Sequence, residues 1–170
     1  MRQDYDVLIV GAGVVGSSLA LALSHLPLRI ALIEQIPFRF EPPLSLDSKP
    51  IALNVASMRI LQTLALWPAL AAYANPIRQV HISQQACFAQ SRISAKDMGV
   101  AQLGCVIPAA RLGSELIKAL SECAAGKTAA KASLELFNPA QCQSISKTKQ
   151  AWQVLFSTAE NEKIVIYPRL

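Results

Sequence analysis

Apolar positions fall into two spacings along the chain. Val7-Leu8-Ile9-Val10 and Ile30-Ala31-Leu32-Ile33 are short continuous apolar runs, the pattern of parallel strands buried on both faces. Residues 14–25 between them read as a helix that Pro27 stops, because proline cannot continue it. Residues 36–48 contain Pro37, Pro42 and Pro43 and read as a loop. A second helix begins near Ser57, a candidate N-cap, and sets Ile60, Leu61, Leu64 and Trp67 on one face. Pro68 starts a further turn through Tyr73, which Asn75-Pro76 breaks. Residues 79–83 and 92–94 predict two short strands joined by a turn. Residues 108–125 predict a third helix, with Leu112, Leu116 and Leu120 at i, i+4 and i+8 and Gly126 as its C-cap. Leu134 and Leu136 mark a strand ended by Asn138-Pro139. Trp152, Val154 and Phe156 alternate, as do residues 163–167, with Glu160-Asn161-Glu162 between them, so the two runs predict a hairpin.

The junction between the first strand and the first helix carries candidate chemistry. Gly11-Ala12-Gly13-Val14-Val15-Gly16 is a G-x-G-x-x-G turn, and the second strand ends in Glu34, 23 positions after Gly11. Each part has a mechanical role in holding a dinucleotide. Gly11 permits the tight turn, Gly13 lets the backbone approach a pyrophosphate, and Gly16 lets the helix pack closely on the strand. The helix N-terminus offers N–H groups and a partial positive charge to phosphates. Glu34 stands where an acid accepts from the adenosine ribose hydroxyls, which favours a free ribose, as in FAD or NAD, over a 2′-phosphate. Three glycines alone are a weak signal; strand, turn, helix, second strand and acid in order are a strong one.

Composition narrows the alternatives. The 20 residues from Val7 to Leu26 carry no formal charge, the length of a membrane span. Three glycines and Ser17, Ser18 and Ser24 lower their apolarity, and the preceding residues hold one Arg and two Asp instead of a positive start. A buried strand and helix account for the run. At 170 residues and 52% hydrophobic the chain is a globular domain's worth of sequence. Its net charge of +5 suits anionic nucleotides or anionic lipid. The basic residues are dispersed and not interleaved with aromatics, so nucleic acid is not an expected partner. Cys87, Cys105, Cys123 and Cys142 form no C-x-x-C and no paired cysteine–histidine pattern with His25 or His81, so no metal site is expected and reduced thiols are. His25 at the helix end and His81 within a strand read as structural.

Further stretches give the chain a family likeness. Asp4-Tyr5-Asp6-Val7-Leu8-Ile9-Val10-Gly11-Ala12-Gly13 opens it, and Asp47-Ser48-Lys49-Pro50-Ile51-Ala52-Leu53 follows a D-x-R-x-x-A-L pattern. Leu66-Trp67, Pro76-Ile77, Val80-His81-Ile82-Ser83, the run from Arg92 to Val100, and Leu103-Gly104-Cys105-Val106-Ile107 continue it. In these segments the chain resembles the N-terminal part of the FAD-dependent aromatic-ring hydroxylases of ubiquinone biosynthesis, the 2-polyprenyl-6-methoxyphenol hydroxylase type. The resemblance implies an α/β fold: a Rossmann-like FAD-binding βαβ unit with additional strands from the start of a substrate-domain sheet. Residues 1–75 and 100–170 would then be mainly FAD-binding, and 76–99 the start of the substrate-side sheet.

The resemblance also implies chemistry. FAD is the expected cofactor and NAD(P)H the co-substrate; dioxygen and a polyprenylphenol are the other reactants. The flavin carries the hard chemistry, which is why no catalytic side-chain constellation stands out. The expected cofactor-binding residues are Gly11, Ala12, Gly13, Val15 and Gly16 at the pyrophosphate, Glu34 at the ribose, and Lys49 and Arg111 near the phosphates or flavin. A cytoplasmic location is expected, with peripheral association at the inner face of the membrane or with a biosynthetic complex.

Three departures bear on this picture. Lys49 stands where the family carries Arg, keeping the charge but losing the bidentate fork. A glycine-containing turn of the family reads Gln84-Gln85-Ala86-Cys87-Phe88-Ala89. The sequence ends before the family's A-D-G and G-D segments, so the expectation is an N-terminal fragment inactive alone. Two other readings stay open: a non-catalytic FAD- or nucleotide-binding remnant or subunit, and another Rossmann oxidoreductase using NAD.

Overall fold

The computed structural model describes residues 3–41, 49–83, 90–147, 152–158 and 163–168. The chain divides into two units, one formed by residues 1–42 with 113–170 and the other by residues 43–112.

The first unit holds the predicted βαβ. Strand β2 (Val7–Val10) leads into helix α1 (Val14–Leu23), which returns to β3 (Arg29–Ile33). β3 pairs in parallel with β2 on one side and with β9 (Ser133–Phe137) on the other. Ile30, Ala31, Leu32 and Ile33 are all buried, as a central parallel strand covered on both faces must be. A second sheet runs in the order β1 (Gln3–Tyr5), β12 (Lys163–Pro168), β11 (Trp152–Thr158), β10 (Ala140–Lys147). β11 and β12 are the predicted hairpin, antiparallel with Leu155 opposite Val165. Alternation sends Val154 and Phe156 inward, where they pack with Tyr5, Ala31, Ile33 and Ala140. Phe137 adds an edge-on ring contact to Phe156, with centroids 4.7 Å apart. At 1% and 0% exposure, Val154 and Phe156 make the second sheet part of the same core as β3.

Helix α4 (Ala109–Ala124) begins at the end of the second unit. Leu112, Leu116 and Leu120 are fully buried, as their spacing predicts. Gly126 takes φ +68 and donates to the Cys123 carbonyl while Lys127 donates to that of Glu122. This paired closure is the left-handed helix stop that glycine allows.

In the second unit β8 (Gly104–Pro108) lies between β4 (Pro50–Asn54) and β5 (Asn75–Ile77), antiparallel to both. A Cβ on Gly104 would stand 2.2 Å from the Leu53 carbonyl oxygen, so only glycine fits this approach. β6 (Gln79–Ser83) and β7 (Gln90–Ser94) form the other predicted strand pair. The six-residue turn between them, with Ala86 and Ala89, lies outside the described residues. Helix α2 (Val55–Thr63) corrects two expectations. Its N-cap is Asn54, whose Oδ1 accepts from the Ser57 N–H at 2.8 Å, and Ser57 lies inside the first turn. Its buried face is Met58 and Leu61, whereas Ile60 is 53% exposed. α3 (Trp67–Leu70) and a 3-10 turn at Ala71–Tyr73 follow, where Pro68 predicted a further turn.

Among the described residues no helix is long and apolar enough to cross a membrane; α1 has ten residues and ends two before the predicted His25.

Candidate dinucleotide site

The glycine turn closes at the C-terminal ends of β2 and β3. Gly11 takes φ +98, a conformation that L side chains rarely adopt, and its N–H donates to the Ile33 carbonyl at 2.8 Å. That bond ties the turn to the neighbouring strand. Gly16 faces the turn from the first turn of α1. A Cβ there would lie 2.0 Å from the Gly11 carbonyl oxygen and 3.2 Å from Ile9 Cγ2. Close packing of helix on strand therefore requires glycine at this position. Gly13 differs in kind. It is exposed, with φ −66, and a Cβ built on it meets nothing within 4 Å. The space in front of Gly13 is open, as a site for an approaching ligand must be. Ser17 is fully buried, and its Oγ donates to the Ala12 carbonyl at 2.8 Å, fixing the far side of the turn.

α1 begins without a side-chain cap at its N-terminus. Its first N–H groups have no acceptor within the helix and point toward the turn. Together with the helix dipole they favour an anion in front of Gly13. Val15, the second residue of α1, is 81% exposed.

Glu34 is half-buried one residue past β3. Its Oε2 accepts from the Ala12 N–H at 2.6 Å and its Oε1 from the Ile36 N–H at 2.7 Å. The carboxylate thus bridges the glycine turn and the segment that leaves β3. An ionised carboxylate offers about four lone-pair positions, so about two remain for a diol. Beside it is a cleft of about 240 Å³ lined by Val10, Gly11, Ile33, Glu34, Gln35, Ala140, Gln141 and Cys142. A second hollow of about 320 Å³ shares Gln35, Ala140 and Gln141 and adds Pro37, Pro139, Ser157 and Thr158. Burial pushes the Cys142 thiol above its ordinary range, so it stays protonated and uncharged in the cleft wall at neutral pH.

Six of the eight sequence-predicted residues, Gly11, Ala12, Gly13, Val15, Gly16 and Glu34, therefore fall around one turn. The other two lie in the second unit. Lys49 is exposed at the start of β4, and its carbonyl accepts from the Ala109 N–H at 3.1 Å. That bond brings Lys49 to the first turn of α4, which carries Arg111. The Arg111 guanidinium lies 4.2 Å from the centre of the Tyr73 ring, a cation–π contact. Sequence reasoning missed Ser17, Asn138 and the cleft wall of Gln35, Gln141 and Cys142. Asn138 was legible as a strand terminator and nothing more. Among the described residues no group of three His, Cys, Asp or Glu gathers as a metal site.

Comparison with known proteins identifies the family. A family model described as FAD binding domain matches residues 4–154. Ubiquinone hydroxylase UbiL of Rhodospirillum rubrum is 34% identical over 82 residues, 45% of this chain and 18% of its own. Ubiquinone hydroxylase UbiM of Neisseria meningitidis is 39% identical over 67 residues, 39% of this chain and 14% of its own. The aligned segments thus span less than a fifth of these curated relatives. Among solved structures, OxyS anhydrotetracycline hydroxylase from Streptomyces rimosus superposes with a TM-score of 0.74 at 17% identity, covering 98% of this chain and 30% of that one. The flavin-dependent monooxygenase PieE, solved with FAD and substrate, gives 0.68 at 17% identity over 98% of this chain and 29% of its own. At such identities the likeness establishes the fold, that of the FAD-dependent monooxygenases.

Proposed function

The chain belongs to the FAD binding domain family, and we propose that it forms the adenosine-holding part of an FAD-dependent, NAD(P)H-driven monooxygenase that hydroxylates a polyprenylated phenol in ubiquinone biosynthesis. One observation carries the cofactor assignment: Glu34 is bonded to the Ala12 N–H of the glycine turn, so acid and phosphate cradle form one preassembled surface. The ubiquinone hydroxylase names of two partial relatives support the substrate class.

The residues fit the cofactor. Open space at Gly13 and the uncapped N-terminus of α1 suit a pyrophosphate. The free lone pairs of Glu34 suit the ribose hydroxyls, and a carboxylate there repels a 2′-phosphate. Val15 and Gly16 place their N–H groups at the helix start, and Gly11 and Ala12 shape the turn. Lys49 and Arg111, cations of the second unit, are the residues that the family resemblance assigns to the phosphates or the flavin, and Arg111 lies over the Tyr73 ring. When bound, FAD supplies the transfer of electrons from the nicotinamide to dioxygen. This chain's part is to bind and orient: a dinucleotide fixed at its adenosine end presents its flavin end at a defined distance. Association with a membrane surface or a biosynthetic complex belongs to the same proposal, since a polyprenyl chain partitions into lipid.

Titration of the chain with FAD, followed by flavin fluorescence, tests the cofactor assignment. ADP should compete and FMN should not, because the adenosine end carries the binding. FMN binding as tight as FAD, or failure of ADP to compete, overturns it. The substrate class is tested by joining this chain to the remaining part of a ubiquinone hydroxylase and supplying FAD, NADPH and a polyprenylphenol. Mass spectrometry should find the hydroxylated phenol. Oxidation of NADPH with no such product refutes the substrate assignment.

A further inference from the structure

We propose that Asn138 is a positioning residue for the ribose-binding carboxylate of Glu34, and so sets the preference for a free ribose without touching the ligand. The proposal rests on the dinucleotide reading above and extends it to a residue that this reading does not use.

β9 runs parallel to β3 with Phe137 opposite Ile33, so Asn138 stands level with Glu34 across the strand pair. Two backbone bonds join the strand ends: the Glu34 N–H donates to the Phe137 carbonyl at 3.0 Å, and the Ala140 N–H donates to the Glu34 carbonyl at 2.8 Å. The Asn138 side chain then makes three more. Its Nδ2 donates to the Glu34 carbonyl at 3.0 Å and to the Ile36 carbonyl at 2.7 Å, and its Oδ1 accepts from the Phe38 N–H at 2.9 Å. Both amide hydrogens and the amide oxygen are therefore engaged. Two acceptors on one side and a donor on the other leave one sensible orientation for the amide.

The consequence reaches the carboxylate through Ile36. Its carbonyl is held by Asn138, and its N–H is the donor to Glu34 Oε1. The other oxygen, Oε2, is held by the Ala12 N–H of the glycine turn. The carboxylate plane is thus fixed at two points, one on the turn and one on a segment that Asn138 pins at residues 34, 36 and 38. Release of that segment frees Oε1, and the side chain of Glu34 regains rotamers that point its remaining lone pairs away from the ribose. Hydrogen bonds to a charged acceptor depend steeply on direction, so the loss falls on ribose recognition and not on the pyrophosphate.

The test compares ADP with 2′-deoxy-ADP on the purified chain by calorimetry. The unmodified chain should prefer ADP by about tenfold or more, the value of one hydrogen bond to a carboxylate. Asn138→Ala should reduce that ratio to about threefold or less while 2′-deoxy-ADP binds within a few-fold of the parent. Glu34→Gln should erase the ratio, and adding Asn138→Ala to it should change the ratio no further. Asn138→Asp keeps the shape and the Phe38 bond but faces two carbonyls with an acceptor. It should reproduce the loss, which keeps the test available if the alanine variant folds poorly. A ratio preserved in both Asn138 variants, with both ligands weakened equally, overturns the proposal and leaves the dinucleotide reading standing. Absence of ADP and FAD binding by the unmodified chain overturns both.

Discussion

Two glycines three residues apart should fail in opposite ways when each is given a methyl group. Gly16→Ala gains helix propensity, about 1 kcal/mol on intrinsic preference alone. In this fold the new Cβ would lie 2.0 Å from the Gly11 carbonyl oxygen. Relief to an ordinary contact needs a shift on the order of 1 Å or more between helix and turn. The turn cannot simply yield, because the Gly11 N–H is bonded to Ile33. Overpacking costs about 1–3 kcal/mol, and a clash with fixed backbone belongs at the upper end, so a net loss of about 2 kcal/mol is expected. For a chain of this size that is a fall in midpoint of roughly 4–8 °C. Gly13→Ala has an unstrained φ of −66 and no neighbour within 4 Å. Loss of a good N-cap residue and reduced freedom of the unfolded chain nearly offset each other, so stability should move by about 0.5 kcal/mol or less. ADP affinity should nevertheless fall about tenfold or more, since the methyl occupies the approach to the pyrophosphate. Thermal unfolding by circular dichroism without ligand and ADP titration of both variants separate the two effects. A raised midpoint for Gly16→Ala, or undiminished ADP binding by Gly13→Ala, refutes the reasoning.

Other consequences are simpler to read. Ala65 ends α2 at φ +58, with its N–H on the Gln62 carbonyl and that of Leu66 on Leu61, so Ala65→Gly should stabilise the chain by about 1 kcal/mol; an unchanged or lower unfolding midpoint would count against this geometry. Burial, with a hydrogen bond to Glu135, raises the Tyr5 phenol well above its usual range. A raised folded-state value contributes stability that is complete below pH of about 10 and is lost as pH climbs above it, so the alkaline fall in stability should be shallower in Tyr5→Phe, and identical profiles would exclude Tyr5 as the cause. Lys49→Arg should tighten FAD a few-fold in this chain joined to the remaining part of a ubiquinone hydroxylase, because a planar fork holds an oxyanion at two points; unchanged affinity removes Lys49 from the proposed site.

The parts of the fold that periodicity could reveal are those where burial follows one element's own repeat. β3, with four consecutive buried residues, and α4, with Leu112, Leu116 and Leu120, are of this kind. β10 is the opposite case. Its residues Ala140–Lys147 are mostly exposed and polar, and its place in the sheet comes from pairing with β11, whose Val154 and Phe156 supply the core. β4 and β8 were recognisable as family segments but not as strands, since their pairing depends on Gly104 meeting Leu53 some fifty residues earlier. Ile60 failed for a similar reason. It stands about 200° around the helix from Met58, and either face of α2 could have been the buried one until its neighbours were placed.

The site divides along the same line. The glycines and Glu34 were legible because their roles demand particular residue types: positive φ, a missing Cβ, a carboxylate. The groups that hold Glu34 left no such trace. Its partners at Ala12 and Ile36 are backbone N–H groups, which almost any residue would supply. Asn138 does demand its type, since only a planar amide donates twice and accepts once in that arrangement, but its partners lie 100, 102 and 104 residues away. A dipeptide such as Asn138-Pro139 reads locally as the end of a strand. Its second role exists only once β9 is set beside β3. The orientation of the Glu34 carboxylate is thus tied, through Ile36, to a residue that sequence patterns describe as punctuation, and variants at Asn138 are the direct measure of the ribose preference proposed for it.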